Sequence, residues 1–221
     1  MNGLPFFCTC GMGFDAFVSM KFAHSGKRGL ISYIENTLRE TLTYKPDTYT
    51  LHIDDTEVKQ RAFVIACANA SQYGNNAFIA PAASMSDGLM DITILEPFPH
   101  IEAPQLALQL FNGTLTTNSR VKTFKAKKVR ITRNGNDPVH VDGDPFMTEK
   151  DIEVEIHPQG INMVVNPSAP PRRLNLLQVF SDQLNEIPQH LQDLNTELAR
   201  TGEKNIKQLN KTVLHKLKQI E

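Results

Sequence analysis

The chain has 221 residues, and its 23 Lys+Arg against 24 Asp+Glu leave a formal charge of −1, which excludes the bulk basic field that nucleic-acid binding draws on. Apolar residues make up 40% of the chain, enough for a packed core, and no run of about 18 apolar residues is present to span a bilayer as a helix. Three cysteines without zinc-type spacing exclude a disulfide scaffold, so Cys8, Cys10 and Cys67 are expected as reduced thiols.

The first residues, MNGLPFFCTCGMG, lack a basic stretch followed by a long apolar run, so they do not read as a signal peptide, and a cytoplasmic protein is expected. Short β-branched or apolar runs then recur between Gly, Asn, Asp and Pro. FFCTC, YTLHID, AFVIACAN, MDITIL, KKVRITR, PVHVDG, DIEVEIH and INMVVN all read as strands. IEVEI and VRITR alternate with period two, as half-buried strands do. AFVIACAN is continuously apolar, as a strand covered on both faces would be. Two helical patterns interrupt them: FDAFVSMKFAH, with a possible continuation in SYIENTLRETL, and APQLALQLFNGTL. The fold expected for residues 1–166 is mainly β, an α+β chain forming a β-sandwich-like domain with helical excursions.

Residues 167–173 behave as a Pro-rich linker, since closely spaced prolines forbid a continuous helix or central strand. Beyond it, Leu177, Phe180, Leu184, Ile187, Leu191, Leu194 and Leu198 step alternately by three and four, a heptad seam. Residues 174–198 are acidic and residues 200–221 are mostly basic, with Thr201-Gly202 between them. Residues 174–221 are therefore expected to form a helical hairpin tail, pairing within one chain or building a homodimer.

No G-x-x-x-x-G-K-[ST], G-x-S-x-G or H-E-x-x-H occurs, and the seven histidines are scattered without ligand spacing. Gly11-Met12-Gly13 alone reads as a tight strand-to-helix turn. Two acidic turns carry more chemistry. The segment from Ala80 to Asp91 contains Asp87-Gly88, either a plain turn or a carboxylate with turn oxygens around it that suits a hard cation such as Mg²⁺. Val141-Asp142-Gly143-Asp144 is either a polar hairpin tip or a pair of carboxylates able to hold a general base near a hydroxyl. Arg120, Lys122, Lys125, Lys127, Lys128, Arg130 and Arg133 crowd one stretch with Val121, Phe124, Val129 and Ile131 between them. That stretch reads as the solvated face of an amphipathic strand, or as a patch facing anionic membrane.

Taken in order, these pieces carry a resemblance: Gly11-Met12-Gly13-Phe14-Asp15-Ala16, Asn69-Ala70, Tyr73-Gly74-Asn75-Asn76, Ile79-Ala80-Pro81-Ala82-Ala83, Asp87-Gly88-Leu89-Met90-Asp91 and Val141-Asp142-Gly143-Asp144. The chain resembles the C-terminal domain of the diacylglycerol kinase/sphingosine kinase lipid kinase family over about residues 4–166. The resemblance implies a β-sandwich that completes an active site with an N-terminal nucleotide-binding domain, where ATP and Mg²⁺ phosphorylate a lipid hydroxyl at a membrane surface. It implies Asp144 as proton acceptor, with Asp142 supporting the same turn. It also implies that Asp87, Ser84 and the Leu89 carbonyl ligate a structural Mg²⁺. Bacterial members often carry Glu where this chain has Asp144. The Gly-Gly-Asp-Gly-Thr motif of the nucleotide domain does not occur, so the chain by itself is expected to be inactive. The alternative is a non-catalytic module that binds a lipid or a partner, with the helical tail serving assembly.

Overall fold

Gly11 and Gly13 set the opening of the fold, because each stands where a side chain would collide. A Cβ on Gly13 would lie 2.6 Å from the Phe63 carbonyl oxygen, and its φ of +98° turns the chain from a strand directly into a helix. The computed structural model describes residues 1–23, 40–41 and 43–166. Its regular elements in chain order are β1 (Thr9–Gly13), α1 (Phe14–Ala23), β2 (Asp47–Ile53), β3 (Thr56–Ala62), β4 (Val64–Ala68) and β5 (Met90–Leu95). There follow α2 (Ala103–Asn112), β6 (Val121–Ala126), β7 (Lys128–Thr132), β8 (Asp137–Val141), β9 (Asp144–Thr148) and β10 (Asp151–Glu155). Most of SYIENTLRETL, the linker at 167–173 and the helical tail at 174–221 lie outside the described residues.

The strands form two antiparallel sheets, ordered β6-β5-β4-β1-β8-β9 and β10-β7-β2-β3. Their inner faces meet in one core: Cys10, Met12, Ile65, Cys67, Ile92 and Val139 from the first sheet meet Leu51, Ile53, Val129, Ile131, Ile152 and Val154 from the second. The six-stranded sheet buries its other face too. Val64, Ala66 and Ala68 pack there with Phe14 and Val18 of α1, Leu106 of α2 and Ile79. Double coverage accounts for the unbroken burial of β1, β4 and β5, and so for the continuous apolar run AFVIACAN. The expected mainly β sandwich is the fold observed.

Four details depart from the sequence reading. FFCTC enters the ladder only at Thr9, because the backbone of Phe7 and Cys8 is bonded elsewhere. INMVVN is not a strand: Ile161, Met163, Val164 and Val165 are exposed, and no strand of either sheet pairs with them. β3 and β9 are strands absent from the sequence reading, and the basic stretch read as one amphipathic strand is two, β6 and β7. β3, β6 and β9 are all sheet edges, where a polar run such as TEVKQRA or a proline such as Pro145 is tolerated because one row of backbone groups faces away from the ladder.

The β8–β9 hairpin is anchored at its root by Arg133. This guanidinium, only 3% exposed, donates to the carbonyls of Asp137 (2.5 Å), Pro138 (3.2 Å), Thr148 (2.9 Å) and Glu149 (3.4 Å). Burial pulls its pKa below the ordinary arginine value. Arg133→Met strips donors from carbonyls at both hairpin strands and is expected to cost about 3 kcal/mol, read by thermal or urea unfolding. An unchanged midpoint would show that the hairpin root needs no such anchor.

Candidate active site

The hairpin tip is a two-residue turn. Asp142 (φ +49°) and Gly143 (φ +92°) link the paired residues Val141 and Asp144, both in the left-handed region that Asp-Gly turns favour. Asp142 directs its carboxylate back into the fold. Oδ2 accepts the Phe7 N–H (2.7 Å), and Oδ1 accepts those of Cys8 (2.8 Å) and Thr9 (2.9 Å). The same segment is held from the other side. Asn69 Nδ2 donates to the Phe7 carbonyl at 2.8 Å, and the Cys8 carbonyl accepts the N–H groups of Asn69 and Ala70. Burial first, and the Asp142 charge second, raise the pKa of the Cys8 thiol.

Asp144 is different. It begins the edge strand β9, is exposed, and among the described residues its carboxylate takes part in no hydrogen bond or ion pair. Of the two carboxylates expected at this turn, one is committed to architecture and the other is available.

Beneath the turn lies a partly buried polar cluster that spacing along the chain does not reveal. Gly11 and His140 are cross-strand partners on β1 and β8. A Cβ on Gly11 would fall 2.3 Å from Asp15 Oδ2 and 2.7 Å from His140 Nε2, so only glycine leaves room for the two to meet. Asp15 Oδ2 accepts Tyr73 O–H at 2.7 Å and lies 3.1 Å from His140 Nε2, with the His140 side chain 3% exposed. The Gly143 N–H donates to His140 Nδ1 at 3.4 Å, which assigns the proton to Nε2, facing Asp15. The cluster therefore ties α1, the loop after β4 and the hairpin tip together. Both imidazole nitrogens are used internally, so the group positions the tip.

The second acidic turn lies at the same end of the same sheet. Asp91 pairs with Ala68, Ala68 with Thr9, and the Thr9 carbonyl accepts the Asp142 N–H. That row spans three strand spacings, so about 14 Å separates Asp91 from Asp142. The fold brings both turns to one edge without placing them in contact. Asp87 Oδ1 accepts the Leu89 N–H at 3.0 Å and Oδ2 takes the Lys125 ammonium at 3.1 Å; the pKa of Asp87 is lowered by the first and then by the second. Ser84 Oγ accepts the Ser86 N–H at 3.4 Å. Hydroxyl, carboxylate and carbonyl are the donor types that Mg²⁺ takes, but the single carboxylate already carries an ammonium, and a resident Mg²⁺ does not fit while Lys125 holds it. Among the described residues there is no group of three or more His, Cys, Asp or Glu able to hold a metal.

The basic stretch is mostly paired. Arg120 bonds Glu102, Lys122 bonds Glu96, Lys125 bonds Asp87 and Asp91, Lys128 and Arg130 bond Glu153, and Arg133 is buried on carbonyls. Among the described residues only Lys127 of this group has no such partner, so from Arg120 to Arg130 the stretch is an ion-paired face of β6 and β7, and Arg133 stands apart from it. No helix among the described residues is long and apolar enough to cross a membrane.

The contrast at the hairpin tip is measurable. Asp142→Ala removes the acceptor of three N–H groups and is expected to cost about 2 kcal/mol, roughly 6 °C in melting temperature. Asp144→Ala is expected to change stability by less than about 0.5 kcal/mol. Equal losses, measured by calorimetry, would put both carboxylates in the same structural role.

Residues 8–165 match the family model described as YegS C-terminal NAD kinase beta sandwich-like domain. A probable lipid kinase YegS-like protein of Shewanella frigidimarina (strain NCIMB 400) is 29% identical over 133 residues, covering 60% of this chain and 42% of its own length. A diacylglycerol kinase of Mycobacterium tuberculosis (strain CDC 1551 / Oshkosh) is 28% identical over 171 residues, covering 74% and 53%. Two solved structures from Bacillus anthracis str. Sterne share the fold. One superposes with a TM-score of 0.58 at 20% identity over 75% of this chain and 54% of that one. The other, a diacylglycerol kinase, gives 0.50 at 16% identity over 75% and 52%. The chain thus spans about half the length of the relatives it matches. By the span and order of these matches, it belongs to the YegS/diacylglycerol kinase family, of which it carries the C-terminal β-sandwich domain.

Proposed function

We propose that this chain is the acceptor-side half of an ATP- and Mg²⁺-dependent lipid kinase that phosphorylates a lipid hydroxyl of the diacylglycerol class at a membrane surface. The observation that carries the reading is Asp144: an exposed, unpartnered carboxylate on a turn that Asp142, His140 and Arg133 hold from three sides. Family membership and the lipid kinase and diacylglycerol kinase names of the relatives support it. The nucleotide is assigned to the half of the relatives' length that this chain does not span, with ATP and its Mg²⁺ delivering the phosphoryl group from there.

In this reading Asp144 accepts the proton of the lipid hydroxyl as its oxygen attacks the γ-phosphorus. The P–O bond to the β-phosphate breaks, and ADP leaves. A carboxylate free of internal partners is able to do this, and the rigidity of the turn supplies the positioning on which phosphoryl transfer depends. Asp142 does not exchange protons in this scheme, because its oxygens are spent on Phe7, Cys8 and Thr9. Neither the hollow beside His52 and Arg130 nor the one beside Phe63 and Phe98 includes Asp144, which suits a lipid cleft completed by a second domain.

The second reading is a non-catalytic binding module, favoured by the exposed apolar residues Ile161, Met163, Val164 and Val165 as a partner surface. The two separate in one assay, transfer of labelled phosphate from ATP to diacylglycerol in mixed micelles by the protein joined to its nucleotide-binding domain. Wild type is expected to turn over, and Asp144→Asn to lower kcat about 100-fold or more with an unchanged melting temperature. Undiminished transfer by Asp144→Asn removes its role as base. No transfer by wild type favours the binding module.

A further inference from the structure

Lys125 and Asp91 stand opposite one another on β6 and β5, and the Lys125 ammonium spans from this strand pair to the turn before it. Its Nζ lies 3.0 Å from Asp91 Oδ2 and 3.1 Å from Asp87 Oδ2, so two carboxylates share one cation. Asp91 is buried at 8% exposure, whereas the Lys125 side chain is 41% exposed. A buried carboxylate needs a countercharge, and here the countercharge reaches it from a neighbouring strand. Two further contacts close the turn locally: the Leu89 N–H donates to Asp87 Oδ1 across Gly88 (φ +71°), and the Ser86 N–H donates to Ser84 Oγ.

We infer that Lys125 is the resident cation of the Asp87 turn, a tethered ammonium that shapes it without a divalent metal and keeps one out. The chemistry is a matter of charge and position. With Lys125 present, an arriving Mg²⁺ meets Asp87 with its Oδ2 lone pair engaged and a positive charge about 3 Å away. With Lys125 removed, the same place offers two carboxylates that had shared one ammonium, with the Ser84 hydroxyl and backbone carbonyls on the same turn. That oxygen-only, doubly negative set is what a hard divalent cation selects. The lysine therefore decides whether this turn is a metal site. The inference is independent of the proposed reaction, since it concerns the turn in the absence of ATP and lipid.

The test is a thermal melt of the 221-residue chain and of Lys125→Met, each in EDTA and in millimolar MgCl₂ at matched ionic strength. Wild type is expected to melt at the same temperature in both, and calorimetric titration with Mg²⁺ alone to show no binding. Lys125→Met is expected to melt several degrees lower in EDTA and to regain most of that loss in Mg²⁺. Asp87→Asn added to it should abolish the recovery. Wild type stabilised by Mg²⁺, or binding it in the titration, would overturn the inference, as would Lys125→Met that folds and ignores Mg²⁺. Should Lys125→Met fail to fold, the wild-type titration still decides whether the turn excludes the metal.

Discussion

The carboxylate of Asp142 holds three consecutive backbone N–H groups, and the arrangement of this end of the sandwich depends on that contact. Phe7 and Cys8 precede β1 and Thr9 opens it, and β1 lies between β4 and β8 in the six-stranded sheet. Fixing their N–H groups to the β8–β9 turn sets the level at which β1 enters the ladder. Asn69 closes the other side by binding the Phe7 carbonyl, so the incoming chain is gripped between β4 and β8. An Asp-Gly turn suits this role because both residues accept the left-handed backbone, leaving the Asp142 side chain free to turn inward. With the tip held by Asp142 and the root by Arg133, β9 is an edge strand fixed at both ends. Asp144 inherits a defined position without its carboxylate spending a hydrogen bond.

A sheet buried on both faces creates a second constraint. Polar side chains on the helix-covered face must find partners in very little space, and Gly11 supplies that space by having no Cβ. Asp15 stands in the first turn of α1, where a negative charge also suits the helix dipole. There it meets His140 and Tyr73, and through His140 the order of the core reaches Gly143, one residue before Asp144. The apolar packing and the exposed carboxylate are thus joined by a short polar chain.

Much of this was legible in the sequence. Alternation in VRITR and IEVEI marked half-buried strands, and the unbroken run AFVIACAN marked a strand covered on both sides. Each appears in that role. Edge strands were the weak point, since β3 carries Lys59, Gln60 and Arg61 where a central strand would be apolar, and β9 opens on Asp144-Pro145. INMVVN failed in the opposite sense: β-branched residues predict a strand only where a partner edge exists. The site was half visible. The Asp-Gly-Asp tip stood out, but nothing in local sequence says that Asp142 faces inward and Asp144 does not. His140 is one of seven scattered histidines, and its partner Asp15 is 125 residues away in sequence. The spacing of Gly11 before Asp15 was the one local signal, since a strand glycine often marks close approach. Lys125 is one residue of a basic run in the sequence; the β5–β6 register sets it opposite Asp91, and its ammonium also reaches Asp87.

If Asp144 is the acting group and the surrounding residues its support, position 144 requires a carboxylate and not merely a shape. The most direct measurement is lipid phosphorylation by Asp144→Glu in the protein joined to its nucleotide-binding domain. Because the side chain is exposed and unpacked, one added methylene disturbs nothing around it. Turnover is expected to fall, because a reach altered by about 1.5 Å misplaces the base, yet to stay above that of Asp144→Asn, because the carboxylate is kept. A Glu variant as inactive as one lacking the carboxylate, with folding intact, would contradict the assignment of the base to this residue.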